Sequence, residues 1–272
     1  MKSIHTLTAL LLGESPVISA HASEAAAAGG ESMADIAEKL NNPVASLISV
    51  PFQNNFDFGG GPNDDGYQYK LNFQPVIPIS LNDDWKLIAR TIIPFIDQHD
   101  RITPGSETGL GDTAASFFFS PAHQAPGAPT WGVGPIFFLP TATDDLLGSE
   151  KWSAGPTALW LRQAHAWTYG GLASHAWSFA GEDDRGYVSL TSLQPFLSYT
   201  TPEHTTFGGN LESTYDWNAG EWTVPVNLFV TQLVKFGTLP VSFQLGARYY
   251  AEKPDNGPDW GLRFSVTFVL PE

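Results

Sequence analysis

The chain has 272 residues, a formal net charge of −15 at pH 7 and no cysteine. This length allows one large domain with a sizeable core. The acidic balance argues against a nucleic-acid partner, because phosphate binding needs clustered cations, and the lack of cysteine excludes disulfides and thiolate metal sites. With 26 Gly, 21 Pro and 13% aromatic residues against 15% charged ones, the composition favours aromatic-rich strands separated by turns.

The N-terminal residues carry a weak export signal. Lys2 supplies a positive charge, residues 7–12 form a short apolar run, and residues 20–22 read Ala-His-Ala, which matches an A-x-A cleavage pattern. An acidic residue and a proline soon follow the apolar run, so a disordered leader is the alternative. We predict a signal peptide over residues 1–22.

A polar segment follows over residues 23–44, and we assign it to the periplasm. It is rich in Ala, Gly and Ser, and it contains one helix candidate, SMADIAEKL, at residues 32–40. The sequence leaves open whether this segment enters the domain that follows it.

From residue 45 onward the chain divides into short segments in which apolar and polar residues alternate. The last segment is the clearest. One face carries Trp260, Leu262, Phe264, Val266, Phe268 and Leu270, and the other carries Gly261, Arg263, Ser265 and Thr267. An apolar face opposite a polar face with an arginine is typical of a strand with lipid outside and water inside.

Twelve strand-like segments can be counted. They lie near residues 46–56, 67–80, 85–97, 108–119, 130–140, 152–163, 166–178, 187–200, 205–217, 221–234, 239–250 and 259–270. An even strand number, with both chain ends in the periplasm, is typical of single-chain bacterial outer-membrane barrels. No stretch reaches the roughly 20 apolar residues of a membrane helix. We therefore predict an all-β fold in which residues 45–272 form a closed antiparallel up-and-down transmembrane β-barrel of about 12 strands, in the outer membrane of a Gram-negative bacterium.

Acidic residues concentrate in every second connection between the predicted strands. With the N-terminus in the periplasm these connections become extracellular loops, whereas the other connections are mostly short and nearly uncharged. The predicted extracellular acidic rim consists of Asp64, Asp65, Asp144, Asp145, Asp183 and Asp184, and Asp57 is counted with it at a strand end. Charged loop tips are often simply solvated. The alternative is an electronegative vestibule that concentrates cations at the mouth.

The polar faces of the strands also supply charged residues to the barrel interior. The predicted pore-lining residues are Lys70, Lys86, Arg90, Glu212, Arg248 and Arg263. Arg248 and Arg263 come from neighbouring strands, and Glu212 comes from a strand further round. These side chains either form salt bridges that fill a narrow barrel or form a constriction that selects solutes. Twelve strands imply a narrow pore at most.

The sequence offers no anchor for the common catalytic chemistries. It has no Gly-rich phosphate loop, no HExxH and no GxSxG. Outer-membrane lipid hydrolases carry H-x-S along one strand, whereas Ser174 and His175 are adjacent and therefore point to opposite faces of a strand. The seven histidines are dispersed without zinc-ligand spacing. We expect no enzyme activity, no cofactor and no metal site.

Five blocks of sequence follow one another in a characteristic order: LNNPVASLISVPFQNNFDFG, YKLNFQPVIPISLNDDWKLIARTIIPF, GLGDTAASFFFSP, WGVGPIFFLPTAT and LGSEKWSAGPTAL. Over roughly residues 40–272 the chain resembles the bacterial outer-membrane family labelled "meta-pathway of phenol degradation". Some members of that family are labelled transporter or, misleadingly, neuromedin U. The resemblance implies an outer-membrane β-barrel that passes small, often apolar or aromatic, molecules, and it supplies no catalytic residues to carry over.

Two local features bear on this resemblance. Gly109, Gly111 and Asp112 of the GLGD block fit a bend or bulge where a strand begins. Many outer-membrane barrels end on an aromatic residue, whereas here Phe268 is followed by Val-Leu-Pro-Glu. We expect this departure to make recognition by the barrel assembly machinery less efficient.

The sequence thus predicts an outer-membrane channel or transporter for passive passage of small, apolar or aromatic, molecules. One alternative is a structural or adhesive barrel with a closed lumen, and a third is a lipid hydrolase. The expected partners are outer-membrane lipid and lipopolysaccharide, a small-molecule solute and the barrel assembly machinery, with no nucleic acid. The oligomeric state and the solute are left open.

If the acidic rim acts as a vestibule, its neutralisation lowers any preference for cations. We expect Asp64, Asp65, Asp183 and Asp184, changed together to Asn, to shift the reversal potential under a salt gradient away from cation selectivity, because fewer carboxylates concentrate cations at the mouth. An unchanged reversal potential would mean that these carboxylates are only solvated loop tips.

Overall fold

The computed structural model describes residues 32–125 and 127–270. The predicted signal peptide and the first part of the predicted periplasmic segment lie outside the described residues. One helix, α1, spans Met33–Leu40 and agrees with the helix candidate of the sequence. No helix in the described part of the chain is both long and apolar enough to cross a membrane.

Strands make up nearly all of the remaining regular structure. The segments are β1 (Ile48–Phe58), β2 (Tyr67–Phe73), β3 (Val76–Ser80), β4 (Trp85–His99), β5 (Ser106–Leu110), β6 (Thr113–Pro121), β7 (Thr130–Leu139), β8 (Lys151–Ala164), β9 (Trp167–Gly181), β10 (Ser189–Thr200), β11 (Thr205–Leu211), β12 (Ser213–Asp216), β13 (Glu221–Phe236), β14 (Leu239–Glu252) and β15 (Trp260–Leu270).

These segments form a closed barrel of twelve antiparallel strands. Three strands are each interrupted once, so that β2 continues as β3, β5 as β6 and β11 as β12. Each strand pairs with its neighbours in the chain, and β15 pairs with β1 along its full length, from Ile48 opposite Leu270 to Phe58 opposite Trp260. The predicted fold class is therefore confirmed, and the predicted boundaries differ from the observed ones by at most three residues, at the end of β9.

The strands alternate between an outer and a lumenal face, as the sequence pattern predicts. On β13, for example, Asn227 is 3% exposed whereas the next residue, Leu228, is 67% exposed. On β15, Arg263 is 6% exposed between Leu262 and Phe264, which are both exposed. Large apolar side chains that face outward in a closed barrel suit a lipid environment.

The two ends of the barrel differ in the length of their connections. At the end that carries the start of β1 and the end of β15, the connections are residues 81–84, 122–129, 165–166, 201–204 and 237–238. At the other end they are residues 59–66, 100–105, 140–150, 182–188, 217–220 and 253–259. We call these the turn end and the loop end. The six predicted rim residues all lie exposed at the loop end.

The segment before β1 lies inside the turn end of the barrel. We call residues 33–47 the N-terminal plug. Helix α1 ends where Asn42 N donates to Lys39 O, and Pro43 follows, which cannot continue a helix. The Asn42 side chain then accepts a hydrogen bond from Val44 N at 3.0 Å, which closes a tight turn. This turn directs Val44 into the lumen.

Two apolar clusters hold the plug. In the first, Ile36, Ala37, Ala45 and Leu47 of the plug pack with Leu233 and Val269 of the barrel wall. In the second, Val44 is fully buried among Ile88, Phe118, Leu159, Leu161 and Leu172. The sequence assigns the polar faces of the strands to the lumen, but in the turn-end half several lumenal positions carry apolar side chains, and these receive the plug.

Substitutions at two depths test the outward lipid face. Leu228 lies in the middle of β13 and Phe236 at its turn end, and both face outward. We expect Leu228→Arg to lower the free energy of unfolding in lipid vesicles by about 2–4 kcal/mol and Phe236→Arg by about 0–1 kcal/mol, because the cost of a charge depends on depth in the bilayer. Equal costs at both positions in urea titrations would contradict the placement.

Candidate functional site: a charged cluster and a cavity in the lumen

Two polar side chains that face the lumen lie at interruptions in the strands. Gln74 lies between β2 and β3, and its N–H donates to Pro51 O at 3.0 Å. Glu212 lies between β11 and β12, opposite a register shift at Val224 and Pro225, and its N–H donates to Pro225 O at 3.2 Å. The pairing register with both neighbouring strands is the same before and after each interruption, so Gln74 and Glu212 keep the inward phase of their strands. Both side chains line the lumen as a result.

Glu212 is the centre of an ionic cluster that also contains Asp57, Arg248 and Arg263. Arg263 Nη1 and Nη2 bind the two carboxylate oxygens of Glu212, each at 2.8 Å. Arg248 Nη2 lies 2.9 Å from Glu212 Oε2, and Arg248 Nη1 lies 3.3 Å from Asp57 Oδ2. Two guanidinium groups therefore share two carboxylates, and one of these contacts is bidentate, the strongest arrangement for such a pair.

Two amides complete the ionic cluster. Asn55 Oδ1 accepts from Arg263 Nε at 2.8 Å, and Asn227 Oδ1 accepts from Arg248 Nε at 2.9 Å. The side chains of Arg263, Arg248 and Asp57 are 7%, 10% and 6% exposed, and that of Glu212 is 27% exposed. Charges in such sheltered positions need this number of partners, because desolvation of an unpaired charge is costly.

The structure brings three of the predicted pore-lining residues, Glu212, Arg248 and Arg263, into direct contact. The sequence leaves open whether these side chains form salt bridges or a constriction, and the observed ion pairs across β11–β12, β14 and β15 correspond to the salt-bridge alternative. Asp57 also differs from its predicted place at the rim. It is 4% exposed because β1 runs to Phe58 and turns Asp57 to the lumen in phase with Asn55.

Of the other three predicted residues, Arg90 and Lys86 bind partners outside this cluster, and Lys70 lies beside it. Arg90 Nη2 donates to Gln74 Oε1 at 3.2 Å. Lys86 Nζ donates to Ser46 Oγ of the plug at 3.1 Å. Lys70 lies opposite Asn55 in register and therefore shares its lumenal face.

A cavity of about 320 Å³ lies between the plug and the ionic cluster. Polar groups from the ionic-cluster side border it, among them Arg90, Gln74, Gln244, Glu212 and Arg263. Apolar side chains border the rest, among them Val76, Leu172, Phe196, Phe229 and Leu233, together with Leu47 of the plug. Gly208 leaves room for the ring of Phe229, because a Cβ there would lie 2.5 Å from its Cζ atom.

The acidic loops are tied to one another at the loop end. Asp112 sits at the interruption between β5 and β6, as the GLGD block predicts, and it accepts from Ser149 N and Ser149 Oγ, both at 2.7 Å. Arg185 Nε lies 3.1 Å from Glu150 Oε2, and Lys151 Nζ donates to Glu182 O. Desolvation and the neighbouring Asp145 carboxyl raise the pKa of Glu150. The loops over residues 140–150 and 182–188 thus form one connected surface.

The outer face near Ser174 and His175 shows the geometry expected from their adjacency. His175 Nδ1 lies 2.7 Å from Thr191 Oγ1, and its ring packs 4.1 Å from that of Trp177, which is half exposed. Ser174 is opposite Thr157 and Ser192 in register and points to the lumenal face. The two side chains therefore do not meet on one face.

Sequence reasoning missed Asp57, Asn55, Asn227 and the docking of Val44. The signal for the first three is their phase, since Asp57 and Asn55 alternate with outward residues on β1 and Asn227 does so on β13. The docking of Val44 has no comparable signal, because it depends on lumenal residues from four distant strands.

The chain is similar in fold to several solved outer-membrane proteins. One is the COG4313 outer membrane channel from Pseudomonas putida F1, with a TM-score of 0.63 and 15% identity over 82% of this chain and 94% of that one. Another is outer membrane phospholipase A from Escherichia coli, with a TM-score of 0.47 and 13% identity over 88% of this chain and 97% of that one. A third is the β-domain of the Bordetella autotransporter BrkA, with a TM-score of 0.42 and 10% identity over 82% of this chain and all of that one.

No protein-family model matches the sequence, and no curated protein matches it. At these identities the structural likeness concerns the fold alone. This chain shares with the outer membrane channel the fold of a closed antiparallel β-barrel.

Removal of the central carboxylate tests the ionic cluster. We expect Glu212→Gln to lower the free energy of unfolding by about 1.5–3 kcal/mol, because hydrogen bonds to two guanidinium groups lose their charged acceptor. Glu252→Gln, at an exposed strand end, should change it by less than about 0.5 kcal/mol. Equal effects of both variants in urea titrations would show that the cluster adds nothing to stability.

Proposed function

We propose that this protein is a plugged outer-membrane channel that passes small molecules down their concentration gradient, and that it belongs to the "meta-pathway of phenol degradation" family that its sequence resembles. The observation that carries this proposal is the lumenal cavity of about 320 Å³, which the plug closes on the turn-end side. A barrel filled by side chains alone would leave no such space. The loop end faces the cell exterior and the turn end the periplasm, as short turns and long loops do in barrels of this class.

The plug is held in a way that allows it to leave. Its polar contacts with the wall are isolated side-chain hydrogen bonds, such as Asn41 Nδ2 to Thr200 Oγ1 at 3.2 Å and Gln163 Nε2 to Glu38 O at 2.8 Å. None of the observed strand pairings involves residues 33–47. Burial of Val44 contributes about 1.5–3 kcal/mol. Displacement of the plug therefore breaks two apolar clusters and a few side-chain hydrogen bonds but no strand pairing, and it leaves the barrel wall intact.

The cavity favours small solutes with an apolar body. Phenyl rings of Phe196 and Phe229 border it together with aliphatic side chains, and a barrel of twelve strands encloses only a narrow passage. The same proposal includes the acidic rim and the absence of enzyme activity, and it places outer-membrane lipid and lipopolysaccharide around the barrel. It assigns a pore-lining role to Lys70, Lys86, Arg90, Glu212, Arg248 and Arg263.

A structural barrel with a permanently closed lumen is the second candidate. The paired ionic cluster and the docked plug favour it, because both fill the lumen with satisfied contacts. The two candidates differ in whether the plug moves.

A designed disulfide between the plug and the barrel wall distinguishes the two candidate functions. Because the chain has no natural cysteine, the two introduced cysteines can pair only with each other within one molecule. Asn41→Cys combined with Thr200→Cys replaces a contacting pair and ties the plug to β10. We expect the oxidised variant to block conductance in planar bilayers and uptake of small aromatic solutes in liposomes, and we expect dithiothreitol to restore both, because only then can the plug leave.

A cysteine pair far from the plug is the matched control. Asp97→Cys combined with Thr108→Cys joins two directly opposed residues of β4 and β5 near the loop end. This pair should leave passage unchanged in both redox states. Passage that is equally large with the plug locked would contradict gating by the plug, and no passage in any state would favour the closed structural barrel.

A further inference from the structure

Arg90 differs from the other lumenal arginines in having no carboxylate partner. Its single hydrogen bond within the described chain goes to the Gln74 amide oxygen at 3.2 Å. No salt bridge to Arg90 is formed by residues 32–125 and 127–270, whereas Arg248 and Arg263 both bind Glu212. Arg90 also borders the cavity between the plug and the ionic cluster.

The charges around the cavity do not balance. Lys39, Arg90 and Arg263 border it as cations, and Glu212 is the one carboxylate among the described residues that border it. That carboxylate is already bound by Arg263 and by Arg248. A cation sheltered from bulk solvent is costly unless an anion or several acceptors complete its hydrogen bonds. The cavity beside Arg90 is the place from which such an anion can reach it.

The residues around Arg90 indicate which chemical groups, besides an anion, the cavity can hold. Val76 lies directly opposite Arg90 in register, on the same face, and Phe196, Phe229, Leu172 and Leu233 border the same cavity. A volume of about 320 Å³ lies at the low end of ligand pockets, which span about 300–1,000 Å³. It therefore suits one ring or a short chain and not a long acyl chain.

From this geometry we propose that the cavity is a binding site for a small carboxylate with an apolar or aromatic body. The carboxylate accepts two hydrogen bonds from the Arg90 guanidinium, which matches such a group in a bidentate manner, and the body packs against Phe196 and Phe229. Such a carboxylate would be the solute of the channel proposed above. The physiological role of the site rests on that proposed function, whereas binding itself does not. The acidic rim does not oppose binding, because Arg90 lies nine residues from the loop end of β4, or roughly 30 Å, which is several Debye lengths of about 8 Å.

Calorimetric titration of the refolded full chain in detergent at pH 7 tests this site. Benzoate is the probe, and benzyl alcohol, of similar shape but neutral, is its control. We expect benzoate to bind the unmodified protein at least about tenfold more tightly than benzyl alcohol, because only benzoate makes charge-assisted hydrogen bonds to Arg90. Equal affinities, or no benzoate binding to folded protein, would overturn the proposal without any variant.

Variants then locate the site. Arg90→Gln should weaken benzoate binding by about 10- to 100-fold and leave benzyl alcohol binding unchanged, whereas Arg90→Lys should retain part of the preference for benzoate. Arg162→Gln removes an exposed arginine of β8 outside the cavity and should change neither affinity. Benzoate binding that is unaffected by Arg90→Gln would overturn the assignment. Because binding is measured without passage, selective binding in a protein that never conducts would contradict the channel and uphold the site.

Discussion

A strand in lipid must satisfy all of its backbone hydrogen bonds with neighbouring strands, because no water is present there to accept or donate them. The pairing of β15 with β1 along eleven residues removes the two edges that an open sheet would expose. Once the sheet is closed, alternate residues have to face either lipid or an enclosed lumen. The outward leucines and aromatic residues and the inward polar residues are two consequences of the same closure.

A lumen enclosed by twelve strands is too wide to be filled by wall side chains alone, and the chain fills it in two ways. At mid-lumen, Glu212 faces inward in phase with β11 and β12, and together with Asp57 it neutralises two arginines. At the turn end, lumenal positions become apolar and accept Val44 and the helix α1. The cavity lies between the ionic cluster and the plug. Its charged wall therefore belongs to the ionic-cluster side, and its apolar wall belongs to the turn-end half of the lumen.

Much of this organisation could be predicted from sequence, because it follows from local alternation. All twelve strands were expected, including the three interrupted ones, since an interruption of one or two residues restores the pattern in the next segment. The residues Arg248, Arg263 and Glu212 follow from the same phase rule. Asp57 was assigned to the rim only because the predicted end of β1 fell two residues short.

The plug could not be predicted in the same way. Helix α1 has local signals, such as Asp35 in its first turn and Lys39 in its last, but its docking depends on Ile88, Phe118 and Leu161, which are distant in sequence. In the sequence, an apolar residue at a lumenal position only interrupts the alternation of polar and apolar residues. Only the assembled barrel shows that several such residues meet around Val44.

Single-channel recording of the refolded full-length protein in a planar bilayer shows whether the plug leaves the lumen. We expect a mostly closed protein with discrete, reversible openings of small conductance, each reporting a departure of the plug. Permanent silence from protein whose folded state is verified would contradict it and show that the lumen is closed for good.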